Sequence, residues 1–181
     1  MADYMNQRLS GRVTFDYSNN NGKYIIGNNE LLFETAWSKA SDDSIYILND
    51  PASIKGVALA LGKHRITDIN DASSYDMTSR TRTPQEGEIV ILKNRFGNYA
   101  ALKIIDIKDR TRSDDRDELT FEYVINPNEY IDFSQTELKK AEAKQNTPPA
   151  IRQRIWIGLK AFIKEAYRLA MRSFFDSTMN K

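Results

Sequence analysis

The feature that most constrains this chain's fold is a change of hydrophobic period near residue 133. Before it, apolar residues alternate with polar ones in short runs separated by Asn, Gly, Asp and Ser, as in half-buried strands joined by turns. After it, they recur at helical spacing. Residues 13–17 alternate, 18–22 (Ser, three Asn, Gly) tolerate positive φ, and 23–26 is extended again, which predicts a hairpin. Residues 31–37 and 44–48 flank the polar stretch 38–43 and predict a second pair. At Asp50 and Pro51 the sequence allows a helix cap and first helical position, whereas 57–61 fits a buried strand equally well. Residues 62–86, rich in Ser, Thr, Asp and Arg, read as a connection with at most one short helix near 66–72. The run 88–92, the turn 94–98, the strand 99–107, the charged loop 108–118 and the strand 119–125 predict a three-stranded meander. Its last strand places Leu119, Phe121, Tyr123 and Ile125 on one face.

Beyond the break, 135–145 has helical composition, Asn146-Thr147-Pro148-Pro149 stops it, and 150–175 predicts a long amphipathic helix. Ile151, Ile155, Leu159, Phe162, Ala166, Leu169 and Ala170 fall within an arc of about 100°, extended by Trp156, Ile163 and Phe174. Arg152, Arg154, Lys160, Lys164, Arg168 and Arg172 take the other face, while Ile157, Met171 and Phe175 widen the apolar surface. That width favours contact on more than one side. The assembly positions expected of this segment are therefore Trp156, Ile157, Phe162, Ile163, Met171, Phe174 and Phe175.

A formal net charge of +1 hides an asymmetry of the same shape. Residues 135–181 hold 10 of the 26 bases and 4 of the 25 acids, so they carry +6 and the preceding residues −5. Opposite signs on body and tail bear on self-association before they bear on a polyanionic partner. The chain has no cysteine and one histidine, His64, which excludes disulfides, thiolate metal sites, thiol nucleophiles and multi-imidazole centres. The first twelve residues lack the apolar core of a signal peptide, and no apolar run reaches membrane-spanning length, so a cytoplasmic protein is expected.

Catalytic material is sparse. Asp114, Asp115, Asp117 and Glu118 lie among Arg110, Arg112 and Arg116, without the alternating acids and central Gly of a calcium loop, and are expected to form a solvated loop. A nuclease of the acid-acid-lysine kind would join two carboxylates to a Lys at a strand end. Glu88 with Lys93, or Glu30 and Glu34 with Lys39, lacks the short acid-x-Lys spacing. His64 sits between Lys63 and Arg65 without a recognisable partner, and no Gly-rich phosphate loop occurs. No catalytic residue, metal ligand or cofactor site is assigned.

Binding signals are better. The segment 87–107, with Glu88-Ile89-Val90-Ile91-Leu92, the turn Asn94-Arg95-Phe96-Gly97-Asn98 and the strand from Tyr99, resembles the strand, glycine turn and strand of SH3-like barrels, including Tudor-like and KOW-like modules. Together with the strand and helix readings above, it leads to the expectation of a mainly β body, an SH3-like small barrel or bent antiparallel sheet of six to seven strands over 12–133, followed by a helical appendage over 134–181. The resemblance also implies that aromatics beside strand ends, here Phe96, Tyr99 and Tyr123, contact a ligand; the alternative is that Tyr99 and Tyr123 pack inside. Arg80, Arg82, Lys93 and Arg95 would then form a basic rim around them. More broadly, Phe15-Asp16-Tyr17-Ser18-Asn19, the run 33–41 and Thr78-Ser79-Arg80-Thr81-Arg82-Thr83-Pro84 resemble an uncharacterised small β module of bacterial multidomain proteins, which implies a sensing or recruiting body.

The function expected from these readings is non-enzymatic. The body recognises a protein, peptide or small ligand, and the basic helix mediates assembly with a partner or a second copy. A nucleic-acid-binding or metal-dependent nuclease component of a bacterial defence or mobile-element system is the alternative, and a membrane-surface adaptor the third.

Overall fold

The structure, a computed structural model, describes residues 4–40, 43–127 and 129–134. The expected helical appendage, with Trp156, Ile157, Phe162, Ile163, Met171, Phe174 and Phe175, lies outside the described residues. Within them the chain forms strands β1 (Met5–Asn6), β2 (Ser10–Phe15), β3 (Lys23–Ile26), β4 (Phe33–Lys39), β5 (Ile45–Leu48), β6 (Ile54–Leu59), β7 (Thr81–Arg82), β8 (Ile89–Asn94), β9 (Tyr99–Lys108) and β10 (Glu118–Asn126). These make two five-stranded sheets, ordered β1-β3-β4-β5-β7 and β2-β10-β9-β8-β6. Every pairing is antiparallel except β1 with β3. Among the described residues no helix is long and apolar enough to cross a membrane.

Mainly β architecture and the β8-β9-β10 meander are therefore present, but the sheets do not close into a barrel. They pack face to face. Two of the local expectations change with that. The predicted hairpin of 13–17 with 23–26 does not form: β2 pairs with β10, while β3 pairs with β1 and β4 in the other sheet. The Asn-rich link between them is a crossover from sheet to sheet. Its Gly22 has φ +70°, and a Cβ there would fall on the Trp37 carbonyl oxygen. The undecided segment after Pro51 is strand β6, not a helix.

One core fills the space between the sheets. β2 contributes Val13 and Phe15, β3 Tyr24 and Ile26, β4 Phe33 and Trp37, β8 Val90 and Leu92, and β10 Leu119, Phe121, Tyr123 and Ile125. The last four share a face, as the alternation predicts. Phe121 stacks on Trp37 at 5.6 Å and meets Phe15 and Tyr24 edge-on at 6.3 and 6.2 Å, so its ring is gripped from both sheets. The buried Thr35 hydroxyl is satisfied within this layer: it donates to the Tyr24 carbonyl at 2.9 Å and accepts from the Trp37 indole at 2.7 Å.

The second sheet is buried on both faces, which explains why 89–92 is an unbroken apolar run rather than an alternating one. Ile89, Ile91, Tyr99, Ala101 and Val124 face away from the sandwich and are covered by Ile66, Ile69, Ala72 and Phe133. The covering segment holds two 3-10 turns, Ile66–Asp68 and Ala72–Ser74, where one short helix is predicted. Phe133 is wholly buried, and its N–H donates to the Ile69 carbonyl at 2.8 Å, so 129–134 is fixed against this cover.

Candidate functional site

The two ends of the sandwich are closed by different chemistry, and the difference decides which end offers a surface. At one end, the β8–β9 turn meets the link between β3 and β4 and the segment after β10. Asn94, fully buried, donates from Nδ2 to the carbonyls of Glu30 (2.8 Å) and Leu32 (3.3 Å), and its Oδ1 accepts from Phe96 N and Asn98 N at 3.0 Å. Asn98 adds a bond to the Glu30 carbonyl at 2.9 Å and accepts from Glu129 N at 3.0 Å. Asn126 donates to the Asp132 carbonyl at 2.9 Å. Three asparagine side chains thus hold three chain segments in one geometry, each amide making the bonds that loop backbone would otherwise leave to water.

What these clamped loops present is apolar. Phe96 is 42% exposed and Tyr130 63%, with Leu9 and Ile131 each at 37%. Their segments are hydrogen-bonded neighbours: Glu129 is tied to Asn98, Ile125 N donates to the Leu9 carbonyl, and Ala72 N donates to the Ile131 carbonyl. The Arg95 guanidinium lies over the Phe96 ring at 4.8 Å, a cation on an aromatic face at the rim.

The opposite end is ionic. Lys39, the last residue of β4, places Nζ 2.7 Å from Asp109 Oδ1 and 2.7 Å from Asp117 Oδ1. The two acids are 2% and 6% exposed. Asp117 belongs to the loop expected to be solvated, and here it turns inward: its Oδ1 also accepts from Arg110 N at 3.0 Å. Asp109 caps the turn Arg110–Arg112 by accepting from Thr111 N and Oγ1, and Arg112 Nε lies 3.4 Å from its second oxygen. Burial disfavours the charged form of Asp109, but the hydrogen bonds from Lys39 and Thr111 outweigh it and hold the carboxyl well below the usual range. The Lys39 bond likewise lowers Asp117, and Lys39 itself is held above the ordinary lysine value by both acids. Tyr17, whose hydroxyl donates to the Lys108 carbonyl at 2.8 Å, is pushed up to about 12 by burial and by these carboxylates.

This is an acid-acid-lysine constellation at a strand end, in which Lys39, weighed in the sequence with Glu30 and Glu34, meets Asp109 and Asp117 instead. Its chemistry is that of a clamp. The lysine occupies one oxygen of each acid and the remaining oxygen of Asp109 faces Arg112, so the carboxylates are neutralised from within. Among the described residues no cluster of three or more acids or imidazoles offers metal coordination. Replacing Lys39 by Met leaves two buried carboxylates facing each other. The variant is expected to unfold several degrees below the wild type at pH 7. The sign follows from the depressed acids: their stabilisation is full above the ordinary carboxylate value and is lost progressively as pH falls from there towards their lowered values, so the gap between wild type and variant narrows below about pH 4. Thermal unfolding followed by circular dichroism across pH 2–8 checks this.

Two surface clefts lie at this ionic end. One of about 210 Å³ is lined by Leu59, Leu61, Lys63, His64, Glu86 and Glu88, and the other, of about 300 Å³, by Asp43, Gln85, Glu86 and Ile107. Two of their acids are already engaged: Glu86 accepts from Ile107 N at 2.8 Å and Glu88 from Gln85 N at 2.9 Å.

The residues singled out in the sequence separate into three groups. Phe96 and Arg95 stand together on the clamped turn. Tyr99 and Tyr123 are buried, on opposite faces of the second sheet, so neither ring is offered at the surface. Lys93 covers the Tyr99 ring at 5.0 Å, and the Tyr123 hydroxyl donates to the Arg8 carbonyl at 3.1 Å, with burial pushing that phenol up to about 12. Arg80 and Arg82 belong to the edge of the first sheet, where Arg80 pairs through two nitrogens with Asp50 and Arg82 with Asp76. The expected basic rim is therefore divided among acid partners and aromatic faces. Sequence reasoning passed over Tyr130 and Ile131, and over the asparagines that fix the loops; two Asn flanking Phe96-Gly97 were the available signal.

No protein-family model matches this chain, and no curated protein matches it.

Proposed function

We propose that the β body is a non-enzymatic recognition module that binds a protein or peptide partner through the rim formed by Leu9, Phe96, Tyr130 and Ile131, with Arg95 at its margin. The observation that carries this reading is the pairing of exposed aromatic side chains with loops fixed by buried Asn94, Asn98 and Asn126. Large apolar side chains on rigid supports lose little conformational entropy on binding, and aromatic and Arg residues dominate the energetics of protein interfaces. Exposed side chains carried on several loops suit a macromolecular partner better than a small ligand, which is held in a cavity. In this reading the segment 150–175, with its apolar stripe and basic face, mediates assembly.

The test is a comparison of baits. Full-length protein and a Phe96→Ser/Tyr130→Ser variant are immobilised and challenged with a lysate of the source organism, with and without nuclease treatment. A protein retained by the wild type, lost on the variant and indifferent to nuclease supports the module. Retention of nucleic acid that falls steeply with salt, and is unchanged in the variant, would replace it with the nucleic-acid reading.

A further inference from the structure

The edges of the two sheets are treated unequally. A sheet edge is a row of unpaired N–H and C=O groups, and proteins blunt it by shortness, irregularity or cover. Two of the four edges here, β1 and β7, are two residues long. A third, β6, carries a register shift between Ile54 and Gly56. The fourth, β2, is six residues long, contains no proline and pairs with β10 in an unbroken register from Ser10 to Phe15. Among the described residues no strand pairs with its other side.

Which groups that side presents follows from one bond. Ile125 N donates to the Leu9 carbonyl at 2.7 Å, so Leu9 faces β10. In a strand, a residue's N–H and C=O share one side and successive residues alternate. Gly11, Val13 and Phe15 therefore bond to β10, and Ser10, Arg12 and Thr14 aim theirs outward.

We infer that this edge pairs with the same edge of a second copy, antiparallel about a two-fold axis at Val13, joining the two β2-β10-β9-β8-β6 sheets. Side-chain alternation permits only registers that keep inner residues opposite inner ones. With Val13 opposite itself, Arg12 of each copy stands across from Thr14 of the other, so no like charges oppose. The ends also match in sign: Arg8 precedes the strand and Asp16 follows it, and antiparallel self-pairing brings each start beside the other's end. A register centred on Arg12 would instead set the two guanidinium groups against each other.

The experiment reads the outward amides of the full chain by hydrogen exchange at residue resolution as a function of concentration. The amides of Ser10, Arg12 and Thr14 are expected to slow by about tenfold or more between dilute and concentrated samples, while those of Gly11 and Val13, already in the ladder, stay protected throughout. Thr14→Pro removes an outward N–H without taking a bond from β10, and is expected to abolish the slowing at Arg12. Thr14→Val, which loses only the hydroxyl bonded to Thr120, keeps it. Should the proline variant not fold, Thr14→Lys places a cation across from Arg12 and is expected to move the concentration midpoint upward by about tenfold. Association through any other surface doubles the particle mass without protecting these three amides. The inference is overturned if they exchange at an open rate at every concentration, or slow only when a different protein is added.

Discussion

Phe121→Ala is expected to lower the stability of the body by about 3–5 kcal/mol, the upper range for truncating a buried aromatic ring. The ring has no exposed surface and touches Trp37 and Tyr24 of one sheet and Phe15 and Tyr123 of its own, so its removal opens a void between the sheets. Those neighbours are themselves large rings on paired strands, and Trp37 is held by its bond to Thr35, so the void cannot close by small rotations. Denaturant unfolding should show the midpoint fall with little change in slope, and thermal unfolding a drop on the order of 10 °C or more. Phe96→Ala is the matched control: its ring is on the surface, and a change within about 0.5 kcal/mol is expected. Equal losses from the two variants would mean that the sheets are not packed through Phe121.

Asn94→Ala is the second large effect, at about 2–3 kcal/mol, and it acts on both stability and presentation. The side chain satisfies two carbonyls of the β3–β4 link and two N–H groups of its own turn. Truncation strands these groups in a place where Asn94 had no exposed surface, and unsatisfied buried polar groups are more damaging than the net value of the bonds. Asn94→Asp is not expected to rescue, because it keeps the acceptor but sets a carboxylate against the Glu30 and Leu32 carbonyls. The Phe96 and Asn98 amides, which donate to Asn94 Oδ1, should exchange faster in either variant than expected from the global loss alone. If both variants unfold at the wild-type denaturant concentration, the turn is held by something other than this amide.

How far the sequence foretells the molecule depends on the distance between partners. The β8, β9 and β10 meander is legible because each strand pairs with its chain neighbour, and the alternation of Leu119, Phe121, Tyr123 and Ile125 identifies the buried face directly. The apparent hairpin at 18–22 misleads because Asn and Gly suit a crossover as well as a tight turn. The true partner of Val13 is Phe121, more than a hundred residues away. The ionic clamp is illegible for the same reason: Lys39 is separated from Asp109 by 70 residues and five strands, and the interleaved arginines of 110–116 make the acids look paired among themselves. Tyr99 could not be assigned to surface or core, because a strand covered on both faces has no polar side to betray orientation. The cover itself, with Phe133 at its end, resembles a loop in composition.

The proposed recognition role rests on the preformed apolar rim of Leu9, Phe96, Tyr130 and Ile131. Its most direct test is quantitative capture on full-length wild-type protein against Phe96→Ser/Tyr130→Ser, with both baits first shown to unfold at the same temperature. The account predicts a defined protein enriched about tenfold or more on the wild type and lost on the variant, unaffected by nuclease. Indistinguishable captured sets from the two baits would contradict it.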